Sequence, residues 1–286
     1  MPAQAIVFDR SHGRDWPAIS FIALVHVIAV YAVVWNIGRG TLGSALLAWV
    51  WITLSAISIG AGYHRFYAHA NRGYKAHSIM EVFYLLFGAA AFQTSALWWS
   101  TKHRLHHAHS DTDKDPYGMN RGFWWAHIGW IFWNKPEGIE FPRDLARNKL
   151  VVQQEAYFYL IAGFVGFALP ALLGLLWGDP WGALLTAGFL RLCVQWHWTF
   201  LVNSLAHSWG EQVSPRSSAR NAKSLQRHVL AFLTAGEGAN HGSHHNNPID
   251  PHIGKGTVDL SWWWICLSRR LGLVALRNCS RPGLEQ

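Results

Sequence analysis

The chain has 286 residues, of which 51% are hydrophobic and only 14% are charged, and it contains 18 tryptophans. A charged share near 25% is usual for soluble domains, so this composition argues against an ordinary soluble protein and favours one that lies partly in a bilayer, where Trp collects at the interfaces. The net charge is +8, but the basic residues are scattered among apolar runs, which argues against a nucleic-acid partner.

Four apolar segments are long enough to cross a bilayer, which takes about 20 residues of helix. Two short turns, GRGT near Arg39 and GDP near Asp179, join them into two hairpins. Most basic residues lie in the other loops, so the positive-inside rule places those loops and both termini in the cytoplasm. We therefore expect an all-α, polytopic single domain with a cytoplasmic helical cap at residues 63–155 and 202–286. The four spans are residues 17–37, 42–62, 156–177 and 181–201.

A fifth apolar stretch, residues 78–99, is also long enough to span, but it carries Glu81 and Gln93. If it crossed the membrane, the histidines before it and after it would lie on opposite faces. We therefore predict a re-entrant or interfacial helix here.

Four groups of histidines fall on the predicted cytoplasmic side: HRFYAH, HRLHH, NSLAH and HGSHH. Helical residues at i, i+3 and i+4 share a face, so the HRLHH histidines can point into one cavity. Adjacent residues are about 100° apart, so His106 and His107 can serve two different metals. Nine imidazoles exceed the four ligands of a tetrahedral zinc, and we predict two metal ions. The nine candidate ligands are His64, His69, His103, His106, His107, His207, His241, His244 and His245.

Two interpretations of these histidines compete with a metal site. A lone histidine near a helix end is usually a polar interfacial residue, and HGSHH, which follows GEGAN, could also belong to a nucleotide-binding glycine loop, although no strand–helix unit surrounds it. The histidines interpreted as ordinary interfacial residues are His12, His26, His77, His109, His127, His197, His228 and His252.

The motifs HRFYAH, HRLHH and HGSHH resemble the three boxes HxxxxH, HxxHH and HxxHH of membrane fatty-acid desaturases. NSLAH resembles the NSxxH of the stearoyl-CoA or Δ9-type branch, and DTDKDPYGMNRGFWWAHIGW resembles that branch's segment after the second box. The resemblance runs from about Leu42 to Leu273. It implies a non-haem di-iron site on the nine histidines, with Asn203 near one iron through water. In one departure from the family's usual HNxHH, Gly242 follows His241.

The resemblance implies an O2-dependent enzyme that inserts a cis double bond into a long acyl chain. A related acyl hydroxylase or acetylenase on the same scaffold stays open, as does a His-rich metal transporter, although transport needs ionisable residues inside the spans. Carboxylates often orient metal-bound histidines, and four are candidates for that role. They are Asp111, Asp113, Asp115 and Glu237.

An acyl chain needs a long apolar tunnel, although ordinary packing is the alternative reading of each apolar side chain that would line it. Animal acyl-CoA enzymes have additional charges at two places that here read WST and WNK, so the acyl carrier stays open among CoA, phospholipid and acyl-carrier protein. The candidate substrate contacts are Trp130, Trp196, Trp198, Phe200 and Lys135.

The segment DLSWWWICLSRRLGL is typical of an amphipathic interfacial helix, with Trp262, Trp263 and Trp264 as bilayer anchors. Little chain lies outside the desaturase-like region, so we expect no fused electron carrier. A separate donor, such as a ferredoxin, rubredoxin or cytochrome b5, would suit the basic cytoplasmic face. We expect an integral membrane protein, of the bacterial inner membrane rather than the endoplasmic reticulum.

Overall fold

The computed structural model describes residues 7–214, 217–221 and 224–277, and most of this part of the chain is helical. Short 3₁₀ turns and loops join the helices. The main helices in chain order are α1 (Trp16–Arg39), α2 (Leu42–Ala68), α3 (Ser78–Ala89), α4 (Ala96–His109), α5 (Phe123–His127), α6 (Arg143–Ala146), α7 (Lys149–Ala156), α8 (Phe158–Trp177), α9 (residues 180–208), α10 (Ser224–Leu233), α11 (His241–Asn246) and α12 (Leu260–Arg270).

Three of these helices, α1, α2 and α8, are long and apolar enough to cross a membrane. Local signals set their starts: the Asp15 carboxylate accepts from the Ala18 N–H with Pro17 in the first turn, and Thr41 caps α2, as expected of good N-cap residues. The fourth predicted span differs. Residues 180–208 form one continuous helix, but it is not among the three, and polar residues such as Arg191 and Gln195 interrupt its apolar run.

The two short turns meet at one end of the helix bundle. The Asp179 carboxylate, at the start of α9, accepts hydrogen bonds from the hydroxyls of Thr41 and Ser44 at the start of α2, both at 2.7 Å. The same carboxylate caps α9 through the Gly182 N–H. The α1–α2 and α8–α9 hairpins therefore have their turns on the same side.

The fifth apolar stretch breaks into two helices. Its first part, α3, has 12 residues and so spans only about 18 Å, well short of the roughly 30 Å of hydrocarbon. Phe92 and Thr94 adopt positive φ values of 49° and 75°, and Ser95 then caps α4. This agrees with the prediction that the stretch does not cross the membrane as one helix.

Buried Arg191 ties the end of α3 to α8 and α9. Its guanidinium donates to the carbonyls of Ala90, just past α3, and Gly166, in a π-helical turn of α8, at 2.9 and 3.1 Å. Carbonyls freed at helix ends and irregular turns need partners when buried away from water. The guanidinium of Arg191 supplies these hydrogen-bond donors, and this role explains why a charged residue is buried in an apolar helix.

The prediction of an all-α chain is wrong in one respect, because two small antiparallel sheets are present. Strand β1 (Tyr74–Ala76) pairs with β4 (Val274–Leu276), with Tyr74 opposite Leu276. Strand β2 (Glu211–Ser214) pairs with β3 (Ser217–Asn221). Strands of three to five residues are too short to show the apolar–polar alternation by which a strand is recognised in a sequence.

Helix α12 packs on a hydrophobic core of α2, α3 and α4 side chains through Ile265, which is fully buried. The tryptophan triplet divides: Trp264 stacks on Phe83 at 5.0 Å and Trp262 on His252 at 4.6 Å, while Trp263 is 53% exposed. Trp262 and Trp264 thus pack partly against protein, and the anchoring of all three to a bilayer stays a prediction.

Candidate metal centre

The nine predicted histidines form two groups, within each of which one ligand atom per residue lies within 4.8 Å of the others. The neighbours His106 and His107 enter different groups, as the 100° step along α4 predicts. Likewise His244 of α11 joins the first group, and His241 and His245 join the second. The first group is His64, His69, His103, His107 and His244, and the second is His106, His207, His241 and His245.

Each box lies on a different element, and the fold brings the elements together. The last eleven residues of α2, Ser58–Ala68, form a fully buried π-helix that carries His64, and π-helical turns are frequent at functional sites. Helix α4 carries the second box, the end of α9 carries His207, and α11 carries the third box. His241, next to the atypical Gly242, is buried and lies 3.1 Å from His207.

Three carboxylates hold the Nδ1 atoms of three of these histidines. His64 Nδ1 lies 2.7 Å from Glu237, His106 Nδ1 lies 2.8 Å from Asp115, and His207 Nδ1 lies 3.0 Å from Asp111. A carboxylate accepts a hydrogen bond from Nδ1–H, which fixes the tautomer that has its lone pair on Nε2. Each of these imidazoles is thereby set to offer Nε2 as a ligand.

The Nε2 atoms converge in a way that fits a cation better than hydrogen bonds. His244 Nε2 lies 2.9 Å from His64 Nε2 and 3.2 Å from His107 Nε2, and one N–H cannot serve both. Nitrogens that share a metal at about 2.1 Å lie about 3 Å apart. His69 Nε2 and His103 Nε2 are buried without a hydrogen-bond partner among the described residues, which is costly unless another group binds them. The donor set therefore fits two metal ions.

Burial keeps six of the nine histidines neutral. Desolvation disfavours imidazolium, and neighbouring histidines add to the effect, so the pKa of six of the nine lies well below 6.5 and their lone pairs are available near neutral pH. The six are His69, His103, His107, His241, His244 and His245.

Glu237 and Asp115 are themselves held by other groups. Burial alone would raise the pKa of Glu237, but the Arg65 guanidinium at 2.8 Å and the His64 N–H lower it to about 2. Asp115 is fully buried and accepts from the Asp111 and Tyr117 N–H groups. The prediction for Asp113 is wrong: its side chain is 78% exposed and pairs with Arg121, because it points out of the loop.

A cavity of about 560 Å³ reaches this centre, a volume in the range of ligand pockets. Four clustered histidines and Asn203, one turn before His207, line it. All five candidate substrate contacts also line it: Trp130, Lys135, Trp196, Trp198 and Phe200. Trp196 has a packing role as well, since its Nε1 donates to the Ala91 carbonyl at 2.8 Å.

Among the lining residues that the sequence interpretation missed are Gln93, Trp99, Lys102 and Thr199. Gln93 donates to Thr199 at 2.8 Å and accepts from Trp99 Nε1 at 3.2 Å, so three elements are hydrogen-bonded along one wall. Lys102 is 4% exposed, with its Nζ 4.8 Å from the Trp130 ring centroid. Helical spacing was the available signal, because Trp99 and Lys102 lie four residues before His103 and His106.

The family model for "Fatty acid desaturase" matches residues 41–265. The chain belongs to this family. The boxes, the π-helical end of α2 and all nine clustered histidines lie within the matched region.

Similar curated proteins agree with the predicted Δ9-type branch, and that prediction of family is confirmed. A "Probable acyl-CoA desaturase" of Schizosaccharomyces pombe is 44% identical over 72% of this chain and 42% of its own length. An "sn-2 palmitoyl-lipid 9-desaturase" of Nostoc is 34% identical over 97% of this chain and 96% of its own. A "Stearoyl-CoA desaturase 5" of Bos taurus is 33% identical over 94% and 82%. The chain thus spans less than half of the yeast relative but nearly all of the cyanobacterial one.

Proposed function

We propose that this protein is a fatty-acyl desaturase that uses O2 to insert a cis double bond into a long acyl chain. The observation that carries the proposal is the pair of buried imidazole groups at an apolar cavity. The nine histidines would hold two non-haem irons, with Asn203 near one of them through water. The relatives named as acyl-CoA and acyl-lipid desaturases support the same reaction.

The proposed membrane arrangement has four spans, with α9 as the fourth, and a cytoplasmic cap that holds the metal centre. The contact of Asp179 with Thr41 and Ser44 supports it, because it places the two hairpin turns together at one end. Helix α3 would lie at the interface. The active site would then face the cytoplasm, and we propose a bacterial inner membrane.

The reaction removes two hydrogens from adjacent methylenes. One O2, two electrons and two protons are consumed, and the products are the alkene and two waters. When two irons are bound, they supply the activation of O2 that unactivated C–H bonds require. The protein's part is to seat the chain among apolar side chains such as Trp196 and Phe200, to exclude water, and to hold the imidazoles in one tautomer.

Two lysines at the cavity fit a phosphate-bearing acyl carrier. Lys102 is buried at the Trp130 ring, and Lys135 Nζ lies 4.5 Å from the Trp98 ring centroid. CoA, a phospholipid and the pantetheine arm of a carrier protein share that phosphate chemistry. The electrons would come from a separate acidic donor protein, which the net charge of +8 would attract.

The test is lipid profiling by mass spectrometry after expression of the full chain with an electron-donor system. We expect new cis double bonds with the wild type and with His109→Ala, and none with His106→Ala. His109 is the matched control because it lies on the same helix but belongs to neither histidine group. Purified protein with a single zinc and unchanged lipids would refute the proposal, whereas hydroxylated or acetylenic products would assign the related chemistry.

A further inference from the structure

A third group of metal-binding side chains lies between α1 and α9, apart from the nine histidines. It consists of His26, Cys193 and His197, whose ligand atoms lie within 4.8 Å of one another. Cys193 and His197 share one face of α9 at i, i+4 spacing, and His26 faces them from α1. The sequence interpretation of His26 and His197 as isolated interfacial residues is therefore wrong.

Both imidazoles have their second nitrogen occupied. His26 Nδ1 donates to the Ile22 carbonyl at 2.7 Å, and His197 Nδ1 lies 3.0 Å from His127 Nε2. His127 is in turn held by the Ser204 hydroxyl at 3.0 Å. Metal-bound histidines almost always have such a partner on the nitrogen that does not bind the metal.

The two remaining nitrogens, His26 Nε2 and His197 Nε2, face each other at 3.0 Å. Two nitrogens on one metal at about 2.1 Å lie about this far apart. The neighbouring Cys193 is a free cysteine and half-buried, so a bound metal can replace its thiol proton, which leaves to solvent, and complete a set of two nitrogens and one sulfur.

We propose that His26, Cys193 and His197 form a binding site for a thiophilic d¹⁰ cation, Zn²⁺ or Cu⁺. Imidazole and thiolate together suit these ions, whereas neither histidine group of the proposed di-iron centre contains sulfur. The bound cation links α1 to α9 beside two walls of the cavity, Ile22 and Trp196. The site stands independently of the desaturase reaction.

The test uses the iron-loaded full chain in detergent with Co²⁺ as an optical probe. A thiolate ligand adds a sulfur-to-cobalt charge-transfer band in the near ultraviolet, which an all-histidine site cannot produce. We expect one such band per chain in the wild type and in Cys266→Ser, and its loss in Cys193→Ser. His26→Gln should weaken Co²⁺ binding at least tenfold.

Competition identifies the cation, because whichever of Zn²⁺ and Cu⁺ the site prefers should displace the probe at near-stoichiometric amounts and the other only in excess. Iron content and gel-filtration profile report whether each variant is folded. A charge-transfer band that persists in folded Cys193→Ser, or no band in the wild type, would overturn the proposal. Loss of desaturation with an intact band would instead concern only the proposed function.

Discussion

At the scale of single residues, the decisive groups are the carboxylates that hold the histidines. Asp111, Asp115 and Glu237 each bind one imidazole Nδ1 and so determine which nitrogen faces the metal groups. Asp111 does so from a left-handed backbone conformation with φ of 56°, which Asp tolerates better than most residues. The sequence identified these acids as candidates, but could not separate them from exposed Asp113.

Replacing Asp115 with Asn should weaken iron binding about 10- to 100-fold, since carboxylate partners of metal-bound histidines have effects of this size. Asn has only one uncharged acceptor oxygen, so either the His106 Nδ1–H or the Tyr117 N–H must face the amide NH2 group, and the hold on the His106 tautomer weakens. Iron per chain, measured by mass spectrometry after dialysis against a chelator, reports the change. Asp113→Asn is the matched control and should keep the wild-type iron content. Equal iron loss in both variants would contradict the role of Asp115.

At the scale of elements, the π-helical end of α2 packs its backbone at Gly60 against the carboxylate of Glu237. Gly60 lies so close to the side chains of Ser261 and Glu237 that an added Cβ would overlap both oxygens. The Glu237 carboxylate in turn binds His64 and Arg65, and Arg65 also pairs with buried Asp259. The packing of one glycine is thus coupled to the orientation of a metal-binding histidine.

We expect Gly60→Ala to lower the iron content and activity, although no ligand is changed. The Cβ must displace Glu237, which releases the His64 ring. Gly38→Ala, near the end of α1, is the control, because nothing lies within 4 Å of a Cβ added there. The measurements are iron content and thermal unfolding of both variants in detergent. Wild-type iron content in Gly60→Ala would show that the carboxylate can shift without consequence.

At the scale of the whole molecule, burying so many imidazoles makes the metal-free protein sensitive to acid. Six histidines have a pKa well below 6.5 in the folded protein. Unfolded, they take up protons below about pH 6.5. The unfolded state then binds more protons than the folded state, so stability is unaffected above that pH and falls below it.

The melting temperature of the metal-free protein should therefore fall steadily from about pH 6.5 to 5.5. Each histidine that stays neutral in the folded state lowers the free energy of unfolding by about 1.4 kcal/mol per pH unit in this interval. The melting temperature of the iron-loaded protein should begin to fall only at a lower pH, since bound metal opposes protonation of the histidines until protons displace it. Calorimetry in detergent at several pH values measures both. A pH-independent melting temperature of the metal-free protein across this interval would contradict the expected burial effect.

The sequence alone was sufficient for the family, for three of the four predicted membrane helices and for selecting nine histidines that cluster in the fold, because these depend on local signals: apolar length, box spacing and helical periodicity. It also predicted that residues 78–99 would not cross the membrane, from the need to keep the histidines on one face.

Only the tertiary structure decided which histidines share a group, which carboxylate holds which ring, and that Arg191 binds carbonyls just past α3 and in the π-helical turn of α8. It also brought His26 together with Cys193 and His197, which lie more than 160 residues later in the chain. The physical reason is that these contacts join side chains distant in the chain, and their distances depend on how the helices pack, which no local pattern encodes.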